Sequence, residues 1–169
     1  MLVLRCTQKL LKRLGPPVVN PPVSTTALGD WFAQPVSIGH QRYVLLVSAC
    51  SLLPLVVRAR DVKHFDVAFA DALTAALWRI GVPPANVARE LSESREIVVS
   101  STNSRSVLGS VNDFSQMMKW SMTDTGDVNL TDIALWLGNS PCKTLGFKIP
   151  LEVAFGLLES DQHRRPALG

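Results

Sequence analysis

One segment combines polar side chains with a glycine at helical spacing, and it is the strongest candidate for ligand chemistry. Arg105, Gly109 and Asn112 stand four and three residues apart, so a helix places them on one face. Ser106 and Asp113 lie beside that face. A glycine inside a helix costs about 1 kcal/mol relative to alanine, which predicts close approach by a ligand or a backbone. Arg105, near the helix start, can bind an anion together with free backbone N–H groups.

Two interpretations of this helix stay open. In the first, Arg105 and Asn112 lie at the rim of a concave ligand site, and Gly109 lets another group approach between them. In the second, the helix packs tightly on a sheet, Arg105 pairs with an acid, and Asn112 and Asp113 bond a nearby loop.

Asp30 and Trp31 form a second candidate site. A tryptophan flanked by polar residues can stack on a base or a sugar, whereas most tryptophans are partly buried and pack in a core. A structure in which Trp31 meets Arg105 and Asn112 in one cleft would favour the ligand site.

Basic side chains near the N-terminus form a third candidate. Lys9, Lys12 and Arg13 fall on one face of a predicted first helix, Gln8 to Leu14. The candidates for a basic patch that binds nucleic acid are Arg5, Lys9, Lys12 and Arg13, with Arg58 and Arg60 as further members. A solvated helix face is the commoner meaning of such a run, and it remains the alternative.

The cysteines and histidines argue against a metal site and a disulfide framework. Cys6, Cys50 and Cys142 are odd in number and widely spaced, which fits a reducing compartment and predicts a cytoplasmic protein. No Cys-x-x-Cys, His-x-x-x-His or His-Glu-x-x-His pair occurs, so neither a metal nor a cofactor is predicted. Cys142 has no histidine near it in sequence, which favours an inert thiol over a nucleophile.

Length and composition are those of one globular domain. The chain has 169 residues, of which 47% are apolar and 18% are charged. Residues 1–160 are predicted to form a single domain, and the charged residues 161–169 a frayed tail. A net charge of +3 permits an acidic partner without requiring one.

The apolar run Tyr43–Val57 decides whether a membrane span is predicted. It is shorter than the roughly 20 residues that a spanning helix requires, and serines and a proline interrupt it. Its β-branched residues suit a sheet. Arg42–Ser48 and Leu52–Arg58 are therefore predicted as adjacent antiparallel strands joined by a tight turn, and no membrane partner is expected.

The remaining elements define the fold class. Apolar residues at three- and four-residue steps predict helices over 62–80, 104–121 and 129–138. Thr25–Phe32 predicts a short capped helix, Thr123–Asp127 a turn, and 95–101 a strand. The inward residues predicted to be buried are Phe65, Phe69, Leu73, Leu77, Val107, Val111 and Phe114. The predicted fold is α+β, with a small, mostly antiparallel sheet covered by several helices.

Several strings, similar in order and spacing, resemble a bacterial family labelled only as a numbered domain of unknown function. The strings are LRCTQKLLKRL, TTALGDWFA, SLLPLVVRARD, TNSRSVLGSVNDF and SPCKTLGFKIP, and they cover about residues 2 to 155. The resemblance implies a small bacterial cytosolic protein, sometimes encoded near mobile genes, with no established activity. The chain departs from the family pattern by a longer proline-rich insert after Gly15, and by Phe32 and Gln34 in place of a tyrosine and an asparagine.

The closing segment NSPCKTLGFKIPLEVAFGLLE also resembles the end of one class of insertion-sequence transposases. No acidic catalytic triad precedes it, which favours a chance or structural echo.

Two functions follow from these patterns. The first is a non-enzymatic binding or interaction module for nucleic acid or a protein partner, associated with mobile elements. The second is a small enzyme that acts on a phosphate-bearing or nucleic-acid substrate through Arg105, Asn112 and Asp113. The absence of a recognisable nucleophile or acid–base pair favours the first.

Overall fold

The computed structural model describes residues 1–122 and 128–164, which form one five-stranded sheet and six helices. The strands are β1 (Leu2–Cys6), β2 (Trp31–Ile38), β3 (Gln41–Ser48), β4 (Pro54–Arg58) and β5 (Ile97–Ser101). The helices are α1 (Gln8–Leu14), α2 (Phe65–Arg79), α3 (Pro84–Glu93), α4 (Arg105–Ser121), α5 (Leu130–Gly138) and α6 (Pro150–Arg164). Two short 3-10 segments are Ala59–His64 and Lys143–Leu145. The turn predicted at Thr123–Asp127 lies outside the described residues.

The sheet is mixed, with the strand order β4-β3-β2-β1-β5. Strands β2, β3 and β4 form an antiparallel meander, whereas β1 pairs in parallel with both β2 and β5. The α+β class is confirmed, but the prediction of a mostly antiparallel sheet is only partly right. A crossover that contains α1 joins β1 to β2, and β5 pairs with β1 only after the meander, α2 and α3. Neither parallel pair therefore has a hairpin turn that a sequence pattern could reveal.

The apolar run Tyr43–Val57 forms the predicted hairpin. Strands β3 and β4 pair antiparallel, from Tyr43 opposite Arg58 to Val47 opposite Pro54. Strand β4 begins at Pro54, slightly later than predicted. The hairpin thus brings the basic residues at the two ends of the apolar run to the same end of the sheet.

The serines that interrupt this run are buried and fully engaged in the connection between β3 and β4. The Ser48 hydroxyl donates to the Leu28 carbonyl at 2.6 Å, and the Ser51 hydroxyl donates to Ser48 Oγ at 2.9 Å. These bonds satisfy polar groups that would be costly to bury unpaired. In the described parts of the chain, no helix is long and apolar enough to cross a membrane.

The short helix predicted over Thr25–Phe32 is not formed, and that prediction is wrong: the segment makes a turn near Ala27 and Leu28, and its last two residues begin strand β2. From Trp31 onward the side chains alternate between the two faces of the sheet, with Trp31 in one core and Phe32 and Val36 in the other. A two-residue connection, Gly39-His40, then leads into β3. This alternation, ending at a glycine turn, is the signal that identifies a strand.

A hydrophobic core lies on each face of the sheet. The first core is covered by α1, α2, α3 and α6, and the second core by α4 and α5. The predicted inward residues are all buried, namely Phe65, Phe69, Leu73, Leu77, Val107, Val111 and Phe114. The helical periods of α2 and α4 were therefore assigned correctly, although α2 begins only at Phe65, after a 3-10 segment.

Helix α6 extends further than the sequence suggests. Ala154 and Leu158 pack into the first core, and the helix continues to Arg164, past the predicted start of the frayed tail. Residues 165–169 lie outside the described part of the chain. A single domain over residues 1–160 stays a prediction.

Glu90 is a buried carboxylate in α3 that anchors the chain ahead of β2. Its two oxygens accept hydrogen bonds from the backbone N–H groups of Ala27 and Leu28, at 2.9 and 3.1 Å. Burial raises the pKa of Glu90 above its ordinary value of 4.5, while the bonds from Ala27 and Leu28 act in the opposite direction. The carboxylate thus accepts from two backbone N–H groups that make no hydrogen bond within a helix or a strand.

We expect Glu90→Ala to lower the free energy of unfolding by about 1–3 kcal/mol for each N–H group left unpaired in the interior. Denaturant unfolding at pH 7 measures the loss. A loss below about 0.5 kcal/mol, the range of surface substitutions, would contradict the anchoring role.

Glu90→Gln removes the charge and keeps one oxygen, so it can still accept one of the two backbone N–H bonds. In the wild type the folded state binds the Glu90 proton more tightly than the unfolded state, so its contribution to stability falls as pH rises above about 4.5. We expect this fall to be absent in Glu90→Gln, measured by unfolding between about pH 4 and pH 8.

Candidate functional site

The residues singled out in α4 lie on the exposed side of that helix. Arg105, Ser106, Gly109, Asn112 and Asp113 are all exposed. Apart from its own helical backbone and chain neighbours, a Cβ atom built on Gly109 would meet no described atom within 4 Å, so tight packing against another element does not explain this glycine. A ligand site at these residues stays a prediction.

Asp30 and Trp31 both make contacts inside the fold, Trp31 by packing and Asp30 by hydrogen bonds. Trp31 is fully buried, and its ring meets Phe69 edge-to-face with the centroids 5.2 Å apart. Asp30 Oδ2 accepts a hydrogen bond from Arg5 Nε at 2.8 Å, and its other oxygen accepts one from the Ser24 hydroxyl. The structure therefore gives Trp31 a packing role and ties Arg5 to a carboxylate.

These two candidate groups do not form one site. The Trp31 side chain belongs to the first core, whereas α4 covers the second core on the opposite face of the sheet. The cleft that would have joined Trp31 to Arg105 and Asn112 is therefore not formed.

A different concave surface gathers the basic side chains. It is a cleft of about 640 Å³ between α1, the β2–β3 turn and the 3-10 segment that follows β4. Its ionisable lining residues, called the basic cleft below, are Arg13, His40, Arg42, Arg58, Arg60 and Lys63. The described lining contains no carboxylate.

The sheet brings three of these residues together. Arg42 lies near the start of β3, and its neighbour Tyr43 is paired with Arg58 at the end of β4. His40 stands in the turn that precedes β3. The antiparallel register thus places at one end of the sheet side chains that are 18 residues apart in sequence.

Two flanking elements supply the remaining members. The 3-10 segment Ala59–His64 continues directly from β4 and presents Arg60 and Lys63. Helix α1 supplies Arg13 from its last turn, before the chain leaves the helix at Gly15 with φ of 102°. A cation in the last turn also stabilises the negative end of a helix, so Arg13 has a structural role in addition.

A smaller cavity of about 160 Å³ adjoins the basic cleft, and we call it the side pocket. Its basic lining residues are Lys9, Arg13 and Arg42, and the last two also line the basic cleft. Ser37 adds a hydroxyl group to the wall.

The charge of the two cavities exceeds that of the whole chain. The basic cleft holds five lysine and arginine residues and the side pocket adds Lys9, which makes six of the 17 in a protein of net charge +3. Asp61 lies 3.9 Å from Arg60, but both side chains are more than half exposed, and such a pair is weak in water. The Arg58 guanidinium lies over the Tyr43 ring, 5.9 Å from its centroid.

The structure divides the predicted basic patch. Lys9 lines the side pocket, Arg13 lines both cavities, and Arg58 and Arg60 line the basic cleft. Lys12 is exposed on α1 outside the described lining of either cavity, and Arg5 is bound to Asp30.

Sequence reasoning missed His40, Arg42 and Lys63 as members of this site. One signal was present for Arg42, because the predicted hairpin already places the residues that flank the apolar run side by side. No comparable signal marked Lys63, whose position depends on the 3-10 segment.

Neither the Cys142 thiol nor a cluster of metal ligands supplies a competing site in the described chain. Burial raises the pKa of Cys142, and the nearby Asp113 carboxylate raises it further, so the neutral thiol is favoured over the reactive thiolate. Across residues 1–122 and 128–164, no group of three or more histidine, cysteine or acidic residues is placed to hold a metal ion.

A known family has the same sequence pattern. The chain matches a domain of unknown function, DUF6933, over residues 3–153, and it belongs to this family. No curated protein and no solved structure gives a significant match.

Proposed function

We propose that this protein is a nucleic-acid-binding module and that the basic cleft holds the phosphate backbone. The observation that carries the proposal is the concentration of six cations, without a carboxylate in the described lining, on two adjoining cavities of a protein with net charge +3. Such a surface creates a local positive potential that attracts a polyanion and releases its counterions.

The composition of the cleft favours binding that is independent of base sequence. Contacts to phosphates position a nucleic acid but carry no sequence information directly. Tyr43 is buried beneath Arg58, which leaves His40 as the exposed ring among the described lining residues. Stacking of bases on aromatic side chains therefore contributes little, and oligonucleotides of different sequence should bind with similar affinity.

The proposal includes a cytoplasmic location in a bacterial cell, where nucleic acid is accessible. Cys6, Cys50 and Cys142 are free thiols, which suits a reducing compartment. A mobile-element setting belongs to the same proposal.

Salt dependence tests the proposed function. If all six cations contact phosphates, the slope of log K against log salt should be about −5 for duplex DNA and about −4 for single strands. Fluorescence anisotropy with labelled oligonucleotides between about 50 and 200 mM salt measures it.

Two results would contradict this proposal. One is the absence of binding to DNA and RNA at low salt, and the other is an affinity that salt does not change. Tighter binding of an acidic peptide such as polyglutamate than of either nucleic acid would identify a protein partner instead.

A further inference from the structure

We infer that the side pocket binds a terminal phosphate monoester, so that the protein recognises phosphorylated strand ends in addition to the backbone. The inference rests on the proposed function, and it specifies which group of the nucleic acid occupies the side pocket. It begins from the position of the side pocket, which shares Arg13 and Arg42 with the basic cleft.

Helix α1 and the β2–β3 ladder place the polar side chains of the side pocket around one volume. Lys9 and Arg13 are four residues apart on α1, so they share one face of the helix. Ser37 and Arg42 are directly opposite each other in the β2–β3 ladder, so they share one face of the sheet. The helix and the ladder together surround one small volume with three cations and a hydroxyl group.

The shape of the pocket favours an end group over an internal phosphate. An internal phosphodiester continues into a sugar on both sides and needs an open groove, which the basic cleft provides. The side pocket has about 160 Å³ against about 640 Å³, and it is the more enclosed of the two. A terminal phosphate enters such a pocket from one side only.

The charge of the pocket matches the same group. A terminal monoester carries about −1.5 to −2 charges at pH 7, whereas an internal diester carries about −1. Arginine presents a planar fork that suits two phosphate oxygens, and lysine adds a point charge. Like charges four residues apart destabilise a helix, and a bound dianion offsets the repulsion between Lys9 and Arg13.

The experiment compares oligonucleotides of one sequence that carry a 5′-phosphate, a 3′-phosphate or hydroxyl groups at both ends. We expect one phosphorylated form to bind about tenfold more tightly than the hydroxyl form, the usual effect of one charge-assisted hydrogen-bonded contact. Lys9→Gln should remove most of this ratio, because Lys9 lines the side pocket, and it should weaken the hydroxyl form only by the loss of one backbone contact.

Lys63→Gln is the matched control, since Lys63 lines the basic cleft and not the described side pocket. It should weaken both forms equally and preserve the ratio. Lys9 and Lys63 are exposed, so both variants should melt at the temperature of the wild type.

The outcomes separate the inference from the proposed function. Equal affinity for all three oligonucleotides overturns the terminal-phosphate site and leaves backbone binding in place. If no oligonucleotide binds, the proposed function is overturned. In that case, a mononucleotide that raises the melting temperature of the wild type but not of Lys9→Gln would identify a small phosphate ester as the ligand. A phosphate advantage that survives Lys9→Gln places the end group elsewhere and overturns the assignment of the side pocket.

Discussion

The double variant Arg42→Glu/Arg60→Glu is expected to weaken binding of duplex DNA by about a hundredfold or more near physiological salt. Arg42 lines both cavities and Arg60 lines the basic cleft, so the two reversals place carboxylates where phosphates would bind. Each reversal removes an attraction and adds a repulsion, and the cost of like charges in contact is several kcal/mol. Fluorescence anisotropy titrations measure the loss, and the slope of log K against log salt should decrease by about 2.

Helix α4 offers a charge-matched control on the other face of the sheet. Arg105→Glu/Lys119→Glu changes the net charge by the same amount, and both side chains are exposed. We expect this variant to reduce affinity only slightly, through the change in overall charge. An equal loss in the two double variants would contradict a site at the basic cleft. A larger loss in the α4 variant would favour the ligand site predicted around Arg105 and Asn112.

Phe69→Ala is expected to lower the free energy of unfolding by about 3–5 kcal/mol, the range for a buried aromatic side chain. Phe69 is 1% exposed, it meets Trp31 edge-to-face at 5.2 Å, and it stacks on Phe65 at 5.8 Å. The substitution therefore opens a cavity and removes two aromatic contacts, each worth about 0.5–1.5 kcal/mol beyond the area it buries. Denaturant unfolding followed by circular dichroism measures the change.

Val67→Ala is the control for this substitution, because Val67 lies on the same helix and is 56% exposed. Its effect should remain within about 0.5 kcal/mol. A loss below about 1 kcal/mol for Phe69→Ala would mean that the first core does not depend on this part of α2.

The basic cleft and the side pocket show why part of the site was predictable. Lys9 and Arg13 were candidates because they lie on one helix, where a spacing of four residues determines a shared face. Arg5 lies just ahead of them in sequence, but it is paired with Asp30, the residue immediately before β2. Pairing across 25 residues depends on how strands are arranged, and no local pattern contains that information.

The β2 strand and the parallel pairs were missed for a related reason. Thr25–Phe32 has residues that suit a capped helix, and the hydrogen bonds that determine its true state come from Glu90 and from the neighbouring strands. Propensity over a few residues is a weak preference that tertiary contacts override.

The sequence by itself determined the elements whose side-chain periodicity repeats within one segment. These are the 43–57 hairpin, the buried stripes of α2 and α4, and the basic face of α1. Only the tertiary structure decided the sheet order, the separation of Trp31 from Arg105, and the meeting of side chains from α1 with Arg42 in both cavities. The physical reason is that periodicity places side chains on a face of their own element, whereas a cleft forms where faces of different elements pack together.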